Sequence, residues 1–253
     1  MDSKKVALIT GGGRRRIGWN VAETLAKRGY SIALHYRTSG SEAEENVQQI
    51  VKQGGDAAAF GADLTDEKQV GTMVEQVQKR FGRIDVLVHT AALWHPKKLE
   101  EVTAADMRGF LEINTLGTFL CCQQAGLAMA KQPEGGSIVV FGDWACIRPY
   151  ADYAAYFPSK GAIPTLTWTM AVELAARNPR VRVNCILPGP VMLPADLPAH
   201  EREQAIRGTL VKREGSPQNI VLAVLHFIEN DFVTGTCLPV DGGRSVYAPD
   251  SDH

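Results

Sequence analysis

The sequence predicts an α/β fold, one doubly wound parallel sheet with helices on both faces, on three observations. Short runs that are apolar throughout alternate with longer amphipathic stretches along the chain, as buried parallel strands and their crossover helices do. The first apolar run opens directly into a glycine-rich turn and then a helical stretch. With 253 residues and 45% hydrophobic content, the chain suits one large α/β domain with an ample core, so all of 1–253 is read as a single domain.

The elements follow in order. Residues 6–10 read as a buried strand, 17–28 as a helix, 31–36 as a strand, 42–52 as a helix and 56–62 as a third strand. A helix over 67–81 comes next, and the apolar run 84–90 is bounded by Gly82 and polar residues. Further on are a helix pair around 106–131, a strand at 137–141, a helix at 153–177, a strand at 181–187, a helix at 217–229 and a last strand at 236–240. Pro188, Pro190, Pro194 and Pro198 are too many for a continuous helix, so 187–199 is expected to be a mobile loop over the site, within a substrate loop around 187–215. The tail after Asp241-Gly242-Gly243 is expected to be an edge segment or a subunit contact.

Composition excludes several classes. Lys and Arg number 27 against 28 Asp and Glu, a net charge of −1, and no basic block is long enough to track a nucleic acid. Arg14-Arg15-Arg16, the nearest thing to one, lies inside the glycine-rich turn and is better explained as a ligand set for a phosphorylated small molecule. Met1 to Lys5 runs straight into the first strand without a signal-like segment, and no run approaches the ~18 apolar residues of a membrane span. A soluble cytoplasmic protein is expected. Cys121, Cys122, Cys146, Cys185 and Cys237 are scattered without a Cys-x-x-Cys pair, so they read as reduced core residues rather than a disulfide framework, and no metal site is indicated.

Asp143, Tyr156 and Lys160 are the leading candidates for chemistry. Residues four apart on a helix share a face, which brings the Lys160 ammonium toward the Tyr156 phenol. A nearby cation favours phenolate and lowers a tyrosine pKa from ~10 toward working pH, making Tyr156 a usable proton donor. Asp143 adds a carboxylate thirteen positions earlier. An isolated Tyr-x-x-x-Lys pair usually marks a solvated helix face, so the N-terminal context decides its meaning.

That context is the turn Thr10-Gly11-Gly12-Gly13-Arg14-Arg15-Arg16-Ile17-Gly18 between strand and helix. Glycines there let the backbone approach a pyrophosphate, and the helix N-terminus supplies free amides and a favourable dipole. Gly11, Arg14, Arg16, Ile17 and Gly18 are the candidate cradle, although an arginine stands where a strict Gly-x-Gly-x-x-Gly has a middle glycine. The second strand ends in His35-Tyr36-Arg37-Thr38-Ser39, where an NAD site would carry an acidic residue for the ribose. Cationic and hydroxyl donors suit a 2′-phosphate, so NADPH is the expected cofactor. Asp63 and Leu64 could meet the adenine, and Asn114 could steady a water or carbonyl near the site.

Together, Thr10-Gly11, Asn114, Tyr156-Lys160, Pro188-Gly189 and Asp241-Gly242-Gly243 resemble the short-chain dehydrogenase/reductase family over essentially the whole chain. The resemblance implies a Rossmann fold, a nicotinamide cofactor bound also by Thr90-Ala91-Ala92, Lys160, Pro188 and Gly189, and a homotetramer. The family normally has serine where this chain has Asp143, and Asn-Ala-Gly where it has Thr90-Ala91-Ala92. Aspartate at that position resembles the pteridine reductase and dihydromonapterin reductase branch. The branch resemblance implies that Arg16 faces both pyrophosphate and substrate, that Trp94 sandwiches a pterin against nicotinamide, that Tyr153 lines the same pocket and that Asn114 holds a relay water. The phosphate loop is one residue longer than the branch's, which leaves the pairing of Arg14 to Arg16 open. The implied activity is NADPH-dependent hydride transfer to a C=N bond of a dihydropterin or related pteridine, with the proton from Tyr156 or through Asp143. The alternatives are a generic carbonyl reductase of a ketoacyl or sugar ketone with Asp143 structural, and a non-catalytic NADPH-binding regulator.

Overall fold

Val6–Thr10 (β1) is buried along its whole length, as an interior strand covered on both faces must be. In the computed structural model, which describes residues 4–247, it is joined by β2 (Ser31–Tyr36), β3 (Ala57–Gly61), β4 (Val86–His89), β5 (Gly136–Phe141), β6 (Val181–Pro188) and β7 (Cys237–Val240). The described residues form one seven-stranded sheet in the order β3-β2-β1-β4-β5-β6-β7, every pairing parallel. Winding reverses between β1 and β4, and a crevice opens beyond the carboxyl ends of strands at such a reversal. The fold is therefore the single-domain, doubly wound α/β architecture expected.

The two faces of the sheet explain why its strands show no polar alternation. Val6 and Leu8 pack into a core under α3 (Glu67–Phe81), α5 (Gly117–Ala130) and α6 (Tyr156–Ala175). Ala7 and Ile9 pack into the opposite core, under α1 (Ile17–Lys27), α2 (Gly40–Lys52) and α8 (Pro217–Glu229). Both sides of each strand must be apolar.

Four differences from the sequence reading bear on the site. The expected helix pair around 106–131 is a nearly continuous path: α4 (Ala104–Phe110), a single π turn (Leu111–Leu116) and then α5. The helix expected from 153 starts at Tyr156, so Pro158 falls in a first turn, where its missing N–H removes no helical bond. The proline-rich 187–199 is indeed no continuous helix, but α7 (Ala199–Arg207) follows it inside the region read as loop. Its bases are tied together by a bridge between Val191 and Gly215. After Asp241 the chain forms a run of turns to Val246, and the remainder of the expected tail lies outside the described residues.

All five cysteines are free, three of them buried. Among the described residues no helix is long and apolar enough to cross a membrane, and no group of His, Cys, Asp and Glu could hold a metal ion.

Candidate active site

The crevice between β1 and β4 is a cleft of about 400 Å³. It is lined by the β1–α1 turn (Gly11, Arg14, Arg16, Ile17, Gly18) and the end of β2 (His35, Tyr36, Arg37, Thr38, Ser39). Asp63, Leu64 and Thr90-Ala91-Ala92 complete its walls. Close backbone approach explains the turn: Gly11 has φ 70°, and a Cβ there would lie 2.7 Å from the Ala91 nitrogen. A Cβ on Gly18 would meet Thr90 Oγ1 at 2.6 Å. No side chain caps α1, which leaves its first-turn amides to the cleft.

The structure resolves the three arginines. Arg15 turns away, donating to Asn46 Oδ1 at 3.1 Å and Gln49 Oε1 at 2.6 Å, with its guanidinium over Trp19. Arg14 and Arg16 face the cleft. His35 departs from its expected role as a cationic phosphate ligand. Its ring is buried between the Gly11 N–H, which donates to Nδ1 at 3.2 Å, and the Ala62 carbonyl 3.0 Å from Nε2. Burial lowers its pKa to about 4, so it is a neutral brace for the glycine turn and cationic donors at the end of β2 reduce to Arg37.

Tyr156, at the first position of α6, donates its hydroxyl proton to Asp143 Oδ2 at 2.8 Å. The other carboxylate oxygen of Asp143 accepts from the Ala145 amide at 2.8 Å, which holds the group at the end of β5. Lys160 is buried and donates to the Phe141 carbonyl at 2.8 Å. The expected lysine-depressed phenol is not what forms. Burial, followed by the charge of Asp143 and the bond to it, holds the Tyr156 phenol well above its ordinary pKa. Burial raises the carboxyl of Asp143 against the bonds from Ala145 and Tyr156, and lowers the Lys160 ammonium. The proton of this pair stays on the phenol and points at the carboxylate.

Asn114 lies in the π turn, fully buried. Its Oδ1 accepts from Leu93 N at 2.7 Å, and its Nδ2 donates to Leu93 O and Ser159 Oγ, both at 3.0 Å. Ser159 in turn donates to Tyr156 O at 2.6 Å. The side chain thus clamps the loop after β4 to the start of α6, and its amide donors are already engaged rather than left for a water. π turns of this kind recur at functional sites.

A second cleft of about 290 Å³ adjoins the first across Arg16, Ile17 and Trp94, and it is here that Asp143, Pro188 and Gly189 lie. Tyr153 does not line it. Tyr153, three residues before α6 begins, stacks on Trp94, with ring centres 5.6 Å apart and planes 25° from parallel. It supports the indole. Sequence reasoning missed Trp144, Tyr150, Met192 and Arg244 on these walls, since none has a fixed spacing from a motif. It also missed His89, whose Nδ1 bonds Thr10 Oγ1 at 2.9 Å while buried Nε2 has no partner among the described residues. Burial, then the charge of Lys160, lowers its pKa to about 3.

Residues 12–245 match the family described as enoyl-(acyl carrier protein) reductase. The chain is 31% identical over 248 residues to the uncharacterized oxidoreductase YgfF of Escherichia coli (strain K12), covering 94% of this chain and 99% of that one. It is also 31% identical over 237 residues to the 3-oxoacyl-[acyl-carrier-protein] reductase of Homo sapiens, covering 93% and 96%. Among solved structures, a dehydrogenase/reductase from Sinorhizobium meliloti 1021 is similar with a TM-score of 0.86 at 32% identity, over 95% of this chain and 94% of that one. Acetoin dehydrogenase from Enterobacter cloacae gives a TM-score of 0.87 at 29% identity, over 100% of both chains.

Proposed function

Since this chain belongs to the short-chain dehydrogenase/reductase family of oxidoreductases, we propose that it is an NADPH-dependent reductase of a C=N bond in a dihydropterin or related pteridine. The observation that carries the reading is the 2.8 Å bond from Tyr156 to Asp143, which lines the same cleft as Trp94. A carboxylate at position 143 cannot itself donate to a developing alkoxide, as the serine usual at that position can. It is well suited to the amidine-like N–H edge of a pterin, which donates to a carboxylate, while the flat ring gains from the Trp94 face.

The residues fit the dinucleotide. Glycine contacts that no Cβ could make and the uncapped amides of α1 suit the pyrophosphate. Arg37, Thr38 and Ser39 offer one cation and two hydroxyls for a 2′-phosphate, with no carboxylate at the end of β2 to oppose it. Lys160 has donors beyond the one engaged by Phe141 for the ribose hydroxyls. When bound, NADPH supplies the hydride. Tyr156 would turn its hydroxyl from Asp143 to the ring nitrogen and deliver the proton that completes the new N–H bond, and the phenolate left behind would recover a proton from solvent through Asp143.

A second reading is favoured by relatives named 3-oxoacyl-[acyl-carrier-protein] reductase in Homo sapiens and Synechocystis sp.. On it, Tyr156 would donate to a carbonyl oxygen and Asp143 would be structural. Following NADPH absorbance with dihydrobiopterin, dihydromonapterin and dihydrofolate, beside acetoacetyl thioester and a simple ketone, separates the two. Pterin turnover is expected, and Asp143→Asn should reduce it by about 10²-fold or more, the usual scale of a lost proton-transfer group. Asp143→Asn turnover at the parental rate, or activity confined to the carbonyl compounds, would overturn the pterin reading. Failure to oxidise NADPH with every compound would point to the NADPH-binding regulator. We also propose a cytoplasmic location and a homotetramer, the latter supported by apolar side chains left exposed on α6.

A further inference from the structure

One wall of the second cleft is cationic for reasons that neither the phosphate loop nor the Asp143–Tyr156 pair explains. Arg244 lies there, three residues after Asp241, with its guanidinium carbon 4.6 Å from the centre of the Trp144 ring. It is held firmly. Asp241 accepts from Gly243 N at 2.9 Å and Ser245 N at 2.7 Å, fixing the turn that carries it. The Arg244 carbonyl accepts from Arg148 Nη1 at 3.1 Å, and its own Nη1 donates to the Ala205 carbonyl on α7.

A guanidinium has five N–H donors in a rigid fork. Among the described residues the side chain donates one hydrogen bond, to Ala205, besides its contact with Trp144, and makes no ion pair. The half-buried guanidinium feels the charge of Asp143 and Asp241 only at a distance, so it has no direct anionic partner, and it lines the cleft with Trp144, Tyr150 and Met192. Arg16 stands on the same cleft. Asp143 supplies negative charge at the reacting end and would repel an anion there.

We propose that Arg244 binds an oxyanion, a carboxylate or phosphate, on the part of the substrate remote from the transferred hydride, and so selects anionic over neutral members of the substrate class. The inference rests on the second cleft being the substrate side of the proposed reductase. Stacking on Trp144 orients the fork in advance, so less freedom is lost when two oxygens are engaged.

Equilibrium binding tests this without turnover. In the presence of NADP+, 2-naphthoate, 2-naphthyl phosphate and uncharged 2-naphthamide are titrated by calorimetry as flat bicyclic probes, the two anions distinguishing carboxylate from phosphate. The parent protein should bind at least one anion about 10-fold or more tightly than the amide, the scale of a charge-assisted hydrogen bond. Arg244→Met should remove that preference and leave the amide within about 3-fold, while Arg244→Lys should keep part of it, since a point charge lacks the fork. Should Arg244→Met fail to fold, Arg244→Lys carries the comparison, and unchanged anion affinity in it counts against the fork. Equal binding of anions and amide by the parent protein, or an undiminished preference in Arg244→Met, would overturn the inference. NADPH oxidation with the pterin and carbonyl panel reports separately on the reductase reading, so the two can fail independently.

Discussion

Tyr156 and Asp143 are two weak acids in one part-buried hydrogen bond, in which burial raises both pKa values and the bonds from Ala145 and Tyr156 oppose the rise at Asp143. Their spacing of thirteen residues was legible in the sequence, but the state of the phenol was not. Four-residue spacing places Lys160 on the right face of α6, whereas the distance that matters, from phenol to carboxylate, depends on how α6 meets the end of β5. His35 and His89 make a similar point with a measurable consequence. In the unfolded chain each titrates near 6.5, and in the fold burial lowers His35 to about 4 and His89 to about 3. Between those values the unfolded state binds more protons than the folded one, so stability rises with pH. This contribution is complete above about 6.5 and is lost as pH falls toward about 4, at up to about 1.4 kcal/mol per pH unit for each histidine. The urea midpoint should therefore drop between pH 6.5 and 5, and drop less in a His35→Gln, His89→Asn double variant. A midpoint equally pH-sensitive in both proteins would contradict the assignment.

At the scale of elements, strand-to-helix junctions carry the site. The β1–α1 turn was recognisable because glycine leaves a signature wherever backbones must approach within a side chain's width, as Gly11 does at Ala91. The end of β2 was recognisable by charge, and the structure narrows it: His35 braces the turn, and Arg37 remains with Thr38 and Ser39 on the cleft. Replacing Arg37 with Ala should weaken NADPH by about 10-fold or more, as loss of a charge-assisted hydrogen bond implies, and leave NADH nearly unchanged. Comparison of kcat/KM for the two cofactors checks this, and an equal loss for both would remove the 2′-phosphate role. The π turn at Leu111–Leu116 and the helix α7 were not legible. A π turn keeps the local pattern of a helix, and α7 contributes no fully buried side chain to betray it.

Across the whole molecule, packing of the helices on the sheet leaves an apolar stripe of α6 uncovered. On α6, Thr167, Met170, Ala171 and Leu174 are buried against the sheet, whereas Trp168 is 52% and Val172 71% exposed one turn apart. Large exposed apolar side chains on one face mark an association surface, and closed symmetry is the usual outcome. Trp168→Glu combined with Val172→Glu should convert the proposed tetramer to smaller particles in light scattering, with an unchanged circular dichroism spectrum. A parental mass would place the interface elsewhere. The alternation of strand and helix, the sheet buried on both sides and the glycine cradle were all determined by sequence, because periodicity and close backbone approach are written in neighbouring residues. Tertiary structure alone decided the rest: the proton of Tyr156 aimed at Asp143, a neutral His35, Tyr153 stacked on Trp94 and Arg244 on the wall of the second cleft. Charge state and orientation depend on burial and on distances between residues far apart in the chain, and these exist only once the ends of the strands have come together.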